Sequence, residues 1–112
     1  MNNVINLEQY RTQIGSTKSK VFTGRDRGEY VRNKSMIDKV FEENDETIIV
    51  IPRDIYSITP SFLEEYFYNI VNKFGKDVVN ARLKWETNGY SIEAALTEAF
   101  ERIQRRSNGL DQ

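Results

Sequence analysis

The 112-residue chain contains neither cysteine nor histidine. Without cysteine it has no disulfides, thiolate nucleophiles or cysteine-rich zinc sites. Without histidine it lacks the commonest metal ligand and general base at neutral pH. Only carboxylate, lysine, tyrosine or serine chemistry remains available to it. The composition therefore favours a protein that is not an enzyme and that uses no metal or other cofactor.

Long apolar runs are also lacking. No run approaches the roughly 20 residues that are needed to span a bilayer. The N-terminus has no basic segment followed by an apolar one, which is the pattern of a signal peptide. We therefore expect a cytoplasmic protein that makes no membrane contact.

The formal net charge of −1 is unevenly distributed along the sequence. Residues 11–34 hold seven basic and two acidic side chains, whereas residues 35–112 hold nine basic and fourteen acidic ones. One hypothesis is that the basic stretch contacts nucleic acid, with Phe22 and Tyr30 stacking on bases. The alternative is a solvated helix face, because an isoelectric point near 5.5 is unlike that of a dedicated nucleic-acid module. The candidate contacts are Lys18, Lys20, Arg25, Arg27, Arg32 and Lys34.

Four segments predict strands. Residues 48–51 form an unbroken, β-branched apolar run, which is typical of a strand buried on both faces. Residues 4–7 and 20–23 are shorter apolar stretches. Residues 79–85 alternate apolar and polar side chains, which predicts a strand near a sheet edge. Such an edge offers a route to a homodimer.

Three segments predict helices, because their apolar residues recur at spacings of three and four. The first runs from about residue 26 to 43. The second runs from 61 to 74 and is followed by Gly75, and the third follows Ser91 as N-cap and ends near residue 106. The order β-β-α-β-α-β-α predicts one α/β domain over residues 1–106, with a mixed four-stranded sheet packed against three α-helices. Residues 107–112 are expected to form a flexible C-terminal tail.

The start of the second helix has two possible caps. Ser61 and Glu64 fit a capping box, and alternatively Thr59 caps the helix with Pro60 in its first turn. Glu64, Glu65 and Asp54 could instead be read as a metal-binding carboxylate cluster. Acidic side chains in a first helical turn are more simply explained by the helix dipole.

Two segments carry a resemblance to a known family. Residues 58–65 read Ile-Thr-Pro-Ser-Phe-Leu-Glu-Glu, and residues 23–32 read Thr-Gly-Arg-Asp-Arg-Gly-Glu-Tyr-Val-Arg. Together with the order of elements, they resemble the STAS-like family of small bacterial domains related to the anti-anti-sigma factor fold. The resemblance implies a regulatory domain in a bacterial or phage cytoplasm. It also implies that the partner is a histidine-kinase-like ATPase, which phosphorylates a loop serine in that family.

The resemblance places the docking surface at the loop and helix start over residues 53–68. Phe62 and Tyr68 are expected on the flank of the helix, where exposed aromatic side chains suit a protein interface. The candidates for phosphorylation are Ser61, Ser57 and Thr59. The predicted partner-binding residues are Asp54, Tyr56, Ser57, Thr59, Ser61, Phe62 and Glu65.

Overall fold

The computed structural model describes residues 2–110, and side chains over residues 2–108. The fold is α/β, as predicted, with seven short strands and five α-helices in this part of the chain. A 3-10 helix at Leu7–Tyr10 follows the first strand. The strands are β1 (Val4–Asn6), β2 (Gln13–Ile14), β3 (Thr17–Lys18), β4 (Val21–Phe22), β5 (Thr47–Val50), β6 (Ser57–Ile58) and β7 (Leu83–Glu86). The helices are α1 (Arg25–Ser35), α2 (Ile37–Glu43), α3 (Pro60–Phe74), α4 (Lys76–Arg82) and α5 (Glu93–Leu110).

The predicted four-stranded mixed sheet is wrong. The main sheet has three parallel strands in the order β1-β5-β7, and its central strand carries the fully buried Ile49. A parallel pair, β4-β6, and an antiparallel hairpin, β2-β3, stand apart from it. One physical reason for this separation is that Tyr90 occupies the free edge of β6. Its hydroxyl accepts a hydrogen bond from the N–H of Ile58 and donates one to the carbonyl of the same residue. These backbone groups are therefore satisfied by a side chain, not by another strand.

The edges of the main sheet are β1 and β7. Self-association through an edge strand stays a prediction. None of the five helices is both long enough and apolar enough to cross a membrane, within the part of the chain that the structure describes.

The prediction of three helices is also wrong. The first predicted helix is divided in two at Met36, which adopts a left-handed conformation with φ 58° and ψ 37°. The predicted strand over residues 79–85 is helical as far as Arg82, and only Leu83–Glu86 forms β7. Val79 fills the core from a helical turn, so its alternation with polar neighbours did not indicate a strand. Gly75, with φ 88°, ends α3 and also precedes α4.

The C-terminal helix is longer than expected. It begins at Glu93, two residues after Ser91, and continues to Leu110. Residues 107–110 of the predicted tail are therefore helical. Residues 111 and 112 lie outside the described residues.

The core is centred on α3, which packs against both α1 and α5. Its buried face includes Leu63, Tyr66, Phe67 and Ile70, as the apolar spacing predicted. The Phe67 ring makes edge-on contacts with Tyr66, Trp85 and Phe100. These ring contacts hold α3 against β7 and α5.

Candidate functional site

The N-terminal ends of α1 and α3 are tied together by Thr59. Its hydroxyl accepts the backbone N–H of Phe62 at 3.3 Å and that of Gly24 at 3.2 Å. Thr59 is therefore the N-cap of α3, with Pro60 as the first helical residue. This confirms the second of the two capping alternatives. The Ser61 hydroxyl lies 3.1 Å from that of Thr59 and is not the cap.

The two helices approach closely at Gly28 of α1. A Cβ placed there would lie 2.3 Å from the backbone oxygen of Phe62 and 3.0 Å from the Cβ of Glu65. Any larger side chain at this position would push the helices apart. The spacing of the two helix starts therefore depends on a glycine in the first turn of α1.

An open cleft of about 770 Å³ lies beside the two helix starts. Its wall is formed by residues 23–27, Tyr30 and Ser61. The guanidinium of Arg27 stacks on the Tyr30 ring at 4.5 Å and donates to the backbone oxygen of Tyr10 at 2.5 Å. Arg27 is therefore held by the fold, whereas Arg25 is largely exposed.

Glu64 carries a carboxylate that is completely buried, with 0% of the side chain exposed. Its closest partner is Arg106 of α5, at 2.6 Å. Arg25 and Arg102 lie farther away, at 3.4 and 3.9 Å. A buried carboxylate is costly unless it is paired, and these arginines supply the pairing.

The neighbouring Glu65 extends the same network. Its carboxylate lies 2.9 Å from Arg106 and 3.5 Å from Arg32, and its backbone oxygen accepts from Arg32 at 2.6 Å. We call this network the arginine–glutamate cluster, which comprises Glu64, Glu65, Arg25, Arg32, Arg102 and Arg106. Its four guanidinium groups and two carboxylates leave a surplus of two positive charges.

Arg106 is the centre of this cluster. Burial disfavours its charge, but the hydrogen bonds to Glu64 and Glu65 outweigh burial, so that the pKa of Arg106 is raised. Its guanidinium also stacks on the Tyr68 ring at 4.3 Å. Arg106 therefore fixes α5 to the first turns of α3.

The sequence reasoning missed this role of Glu64. Glu64, Phe67 and Val71 are spaced by three and four residues, which places the glutamate on the buried face of α3. A carboxylate on an apolar helix face requires a cationic partner, and the paired arginines of α5 were available as candidates. This spacing was the signal that could have found the cluster.

The loop between β5 and β6 carries the predicted Asp54. Both of its carboxylate oxygens accept from Arg11, each at 2.9 Å. The pKa of Asp54 is lowered, chiefly by this hydrogen bonding. Arg11 also pairs with Glu8 at 2.9 Å, and hydrogen bonds from Lys18 and Arg11 lower the pKa of Glu8. Asp54 therefore fastens its loop to the N-terminal segment.

Tyr56 is the most conspicuous exposed residue of the same loop, with 69% of it exposed. Its backbone N–H donates to the carbonyl of Lys20 at 2.9 Å. The preceding Ile55 is buried in the core, and the following Ser57 pairs with Val21 in the sheet. The aromatic ring is therefore presented to solvent by a backbone that is fixed on both sides.

The other predicted contact residues differ in accessibility. Ser57, Thr59, Ser61 and Glu65 are half-buried. Phe62 is completely buried against the rings of Phe22 and Tyr66, so the prediction of an exposed Phe62 is wrong and it cannot contact a partner directly. Phe62 is buried because α1 packs against this side of α3.

The basic stretch does not form a free cationic surface. Lys18 pairs with Glu8 at 2.9 Å, and Arg27 and Arg32 are engaged by backbone oxygens. The prediction that Phe22 stacks on bases is wrong, because its ring is buried. The other three predicted nucleic-acid contacts are exposed, and their side chains make no ion pair or hydrogen bond as short as these to any residue that the structure describes. They are Lys20, Arg25 and Lys34.

No group of three carboxylates is placed to hold a metal ion among the residues whose side chains the structure describes. Asp54 bonds to Arg11, whereas Glu64 and Glu65 bond to the arginine–glutamate cluster. The candidate site thus has two parts, which are the exposed Tyr56 on a loop with a fixed backbone and the cleft lined by Arg25, Arg27 and Ser61.

Comparisons of the chain with models of protein families, with curated proteins and with solved structures find no match. The resemblance to the STAS-like family therefore rests on the two sequence segments described above.

Proposed function

We propose that this protein is a non-enzymatic regulatory domain of a bacterial or phage cytoplasm, which docks on a protein partner through residues 53–68. The observation that carries this proposal is the exposed ring of Tyr56 on a rigid loop. Tyrosine is enriched among the residues that dominate binding at protein interfaces.

The loop supports docking because little of it has to be ordered on binding. Asp54 is fixed by two hydrogen bonds from Arg11, Ile55 is anchored in the core, and the Tyr56 N–H bonds to Lys20. Each side chain or loop that is already ordered in the free protein lowers the cost of association. Tyr56 would thus lose only its own side-chain freedom.

The resemblance to the STAS-like family favours a histidine-kinase-like ATPase as the partner, with phosphorylation as the switch. Among the three candidate hydroxyls, Thr59 is occupied as the cap of α3, and Ser57 lies in β6. Ser61 borders the open cleft, so it is the best placed of the three. A phosphate there would add roughly −1.5 to −2 charge beside the docking surface.

Glu64 and Glu65, which lie close to Ser61 in α3, would not strongly oppose such a phosphate. Glu64 and Glu65 both bond to Arg106, and the arginine–glutamate cluster as a whole is positively charged. A phosphate on Ser61 would therefore approach carboxylates whose charge is already compensated.

Affinity capture from a native lysate tests the docking surface. The bait is the full chain, and the variant Tyr56→Ala is compared with Met36→Ala, which removes another exposed apolar side chain from a different surface. We expect a specific protein to be retained by the original chain and by Met36→Ala but lost with Tyr56→Ala. Retention by Tyr56→Ala at unchanged affinity, or no specific protein at all, would contradict the proposal.

A further inference from the structure

We propose that the cleft bounded by residues 23–27, Tyr30 and Ser61 binds the phosphate dianion of a phosphate monoester, with Arg25 as its main contact. This inference does not depend on the docking proposal. It rests on the charge balance and the contact distances of the arginine–glutamate cluster.

The first argument is that Glu64 does not need Arg25. Arg106 already holds its carboxylate at 2.6 Å, whereas Arg102, at 3.9 Å, bonds more closely to Glu98 at 2.9 Å. The contact from Arg25 is long, at 3.4 Å. Arg25 can therefore turn toward a ligand while the buried carboxylate keeps a strong partner.

The second argument is the accessibility of Arg25. Its side chain is 57% exposed and lines the cleft. A guanidinium carries five N–H donors, and here it has one long bond to Glu64. A planar guanidinium matches two oxygens of a phosphate and makes short, charge-assisted hydrogen bonds to them.

The third argument is the charge and size of the site. The cleft is lined by two cationic side chains, Arg25 and Arg27, and by one anionic side chain, Asp26. This lining favours an anion, and the surplus positive charge of the neighbouring arginine–glutamate cluster adds to the attraction. The volume of about 770 Å³ leaves room for the organic part of a monoester beside the Tyr30 ring.

A titration followed by amide NMR tests the proposal on the full chain. Inorganic phosphate is added at a pH above its second pKa, where the dianion is the dominant form, and potassium chloride at equal ionic strength is the reference. We expect saturable shifts of the amides of residues 24–27 and Ser61 with phosphate only. A phosphoserine peptide and free O-phosphoserine form two further arms, which distinguish peptide-borne phosphate from a small monoester.

Two variants assign the site. Arg25→Gln should weaken phosphate binding about tenfold or more, because one charge-assisted contact is lost. Lys39→Gln, which removes the same charge from α2, should bind as the original chain does. Arg25→Lys keeps the charge but loses the planar fork, so we expect an intermediate affinity even if Arg25→Gln fails to fold. Shifts that do not saturate, that chloride reproduces, or that persist unchanged in both Arg25 variants overturn the proposal.

Discussion

The Cα of Gly28 packs so tightly on the backbone oxygen of Phe62 that a Cβ at this position would lie only 2.3 Å from it. This contact sets the distance between α1 and α3. It therefore also positions Arg25 next to Ser61 and Glu64. Because the obstacle is a backbone atom, no change of rotamer can relieve it.

Gly28→Ala should destabilise the protein by about 1–3 kcal/mol, because the added methyl group overpacks the contact. Glycine-to-alanine changes inside a helix normally stabilise it by roughly 0.5–1 kcal/mol, so the expected sign is reversed here. Urea unfolding measures the difference. Asn33→Ala, at an exposed position of the same helix, is the control and should be close to neutral. A stabilised Gly28→Ala would contradict the close approach.

Tyr90→Phe should destabilise the protein by about 1–3 kcal/mol, because the buried N–H of Ile58 loses its acceptor. Hydrogen exchange at the Ile58 amide reports this loss directly and should accelerate. The control is Tyr56→Phe, because Tyr56 is mostly exposed to solvent and a change there should have little effect. Unchanged protection of the Ile58 amide would show that another group accepts this bond.

Met36→Gly should stabilise the protein by about 0.5 kcal/mol. The left-handed conformation costs an L-residue roughly 1–2 kcal/mol, which exceeds the entropic cost of glycine. Met36 is about half exposed, so little burial is lost. Met36→Ala keeps the strained backbone and should show no gain in thermal unfolding. Equal melting temperatures for the two variants would argue against strain at this junction.

The contacts of Arg11 predict how stability depends on pH. The folded-state pKa values of Asp54 and Glu8 lie below their ordinary values of 3.8 and 4.5. The folded state therefore binds fewer protons than the unfolded state in this range, and stability rises with pH. The contribution is complete above these ordinary values and is lost as the pH falls through the lower folded-state values.

Asp54→Asn removes one of the two carboxylates whose pKa values are lowered in the folded state. The loss of stability on acidification should therefore be shallower in this variant than in the original chain. Thermal unfolding between roughly pH 3 and pH 7 provides the measurement. Identical slopes for the two proteins would show that the ion pair with Arg11 does not contribute in solution.

The sequence predicted those elements whose pattern is local. The buried face of α3 and the β-branched run of β5 follow from the spacing and shape of neighbouring side chains. Elements that depend on distant partners were not predictable in this way. Arg106 lies 42 residues from Glu64, so the arginine–glutamate cluster appears only when α3 and α5 are packed together. Similarly, the helix over residues 76–82 depends on Val79 reaching the core, which its alternating pattern does not reveal.

Glu64→Gln tests the arginine–glutamate cluster as a whole. We expect the free energy of unfolding to fall by about 1–3 kcal/mol. Breaking a fully buried ion pair costs roughly 3–5 kcal/mol, and the loss should be smaller here because Arg25, Arg102 and Arg106 are partly exposed. Glu98→Gln, which removes a partly exposed carboxylate of α5, should have a small effect on stability. Because Glu64→Gln also releases Arg25, it should strengthen the binding of inorganic phosphate in the cleft, whereas Arg25→Gln weakens it. The affinities of the two variants for phosphate should therefore change in opposite directions. If Glu64→Gln binds phosphate more weakly than the original chain, the buried carboxylate positions Arg25 for the ligand and does not compete for it.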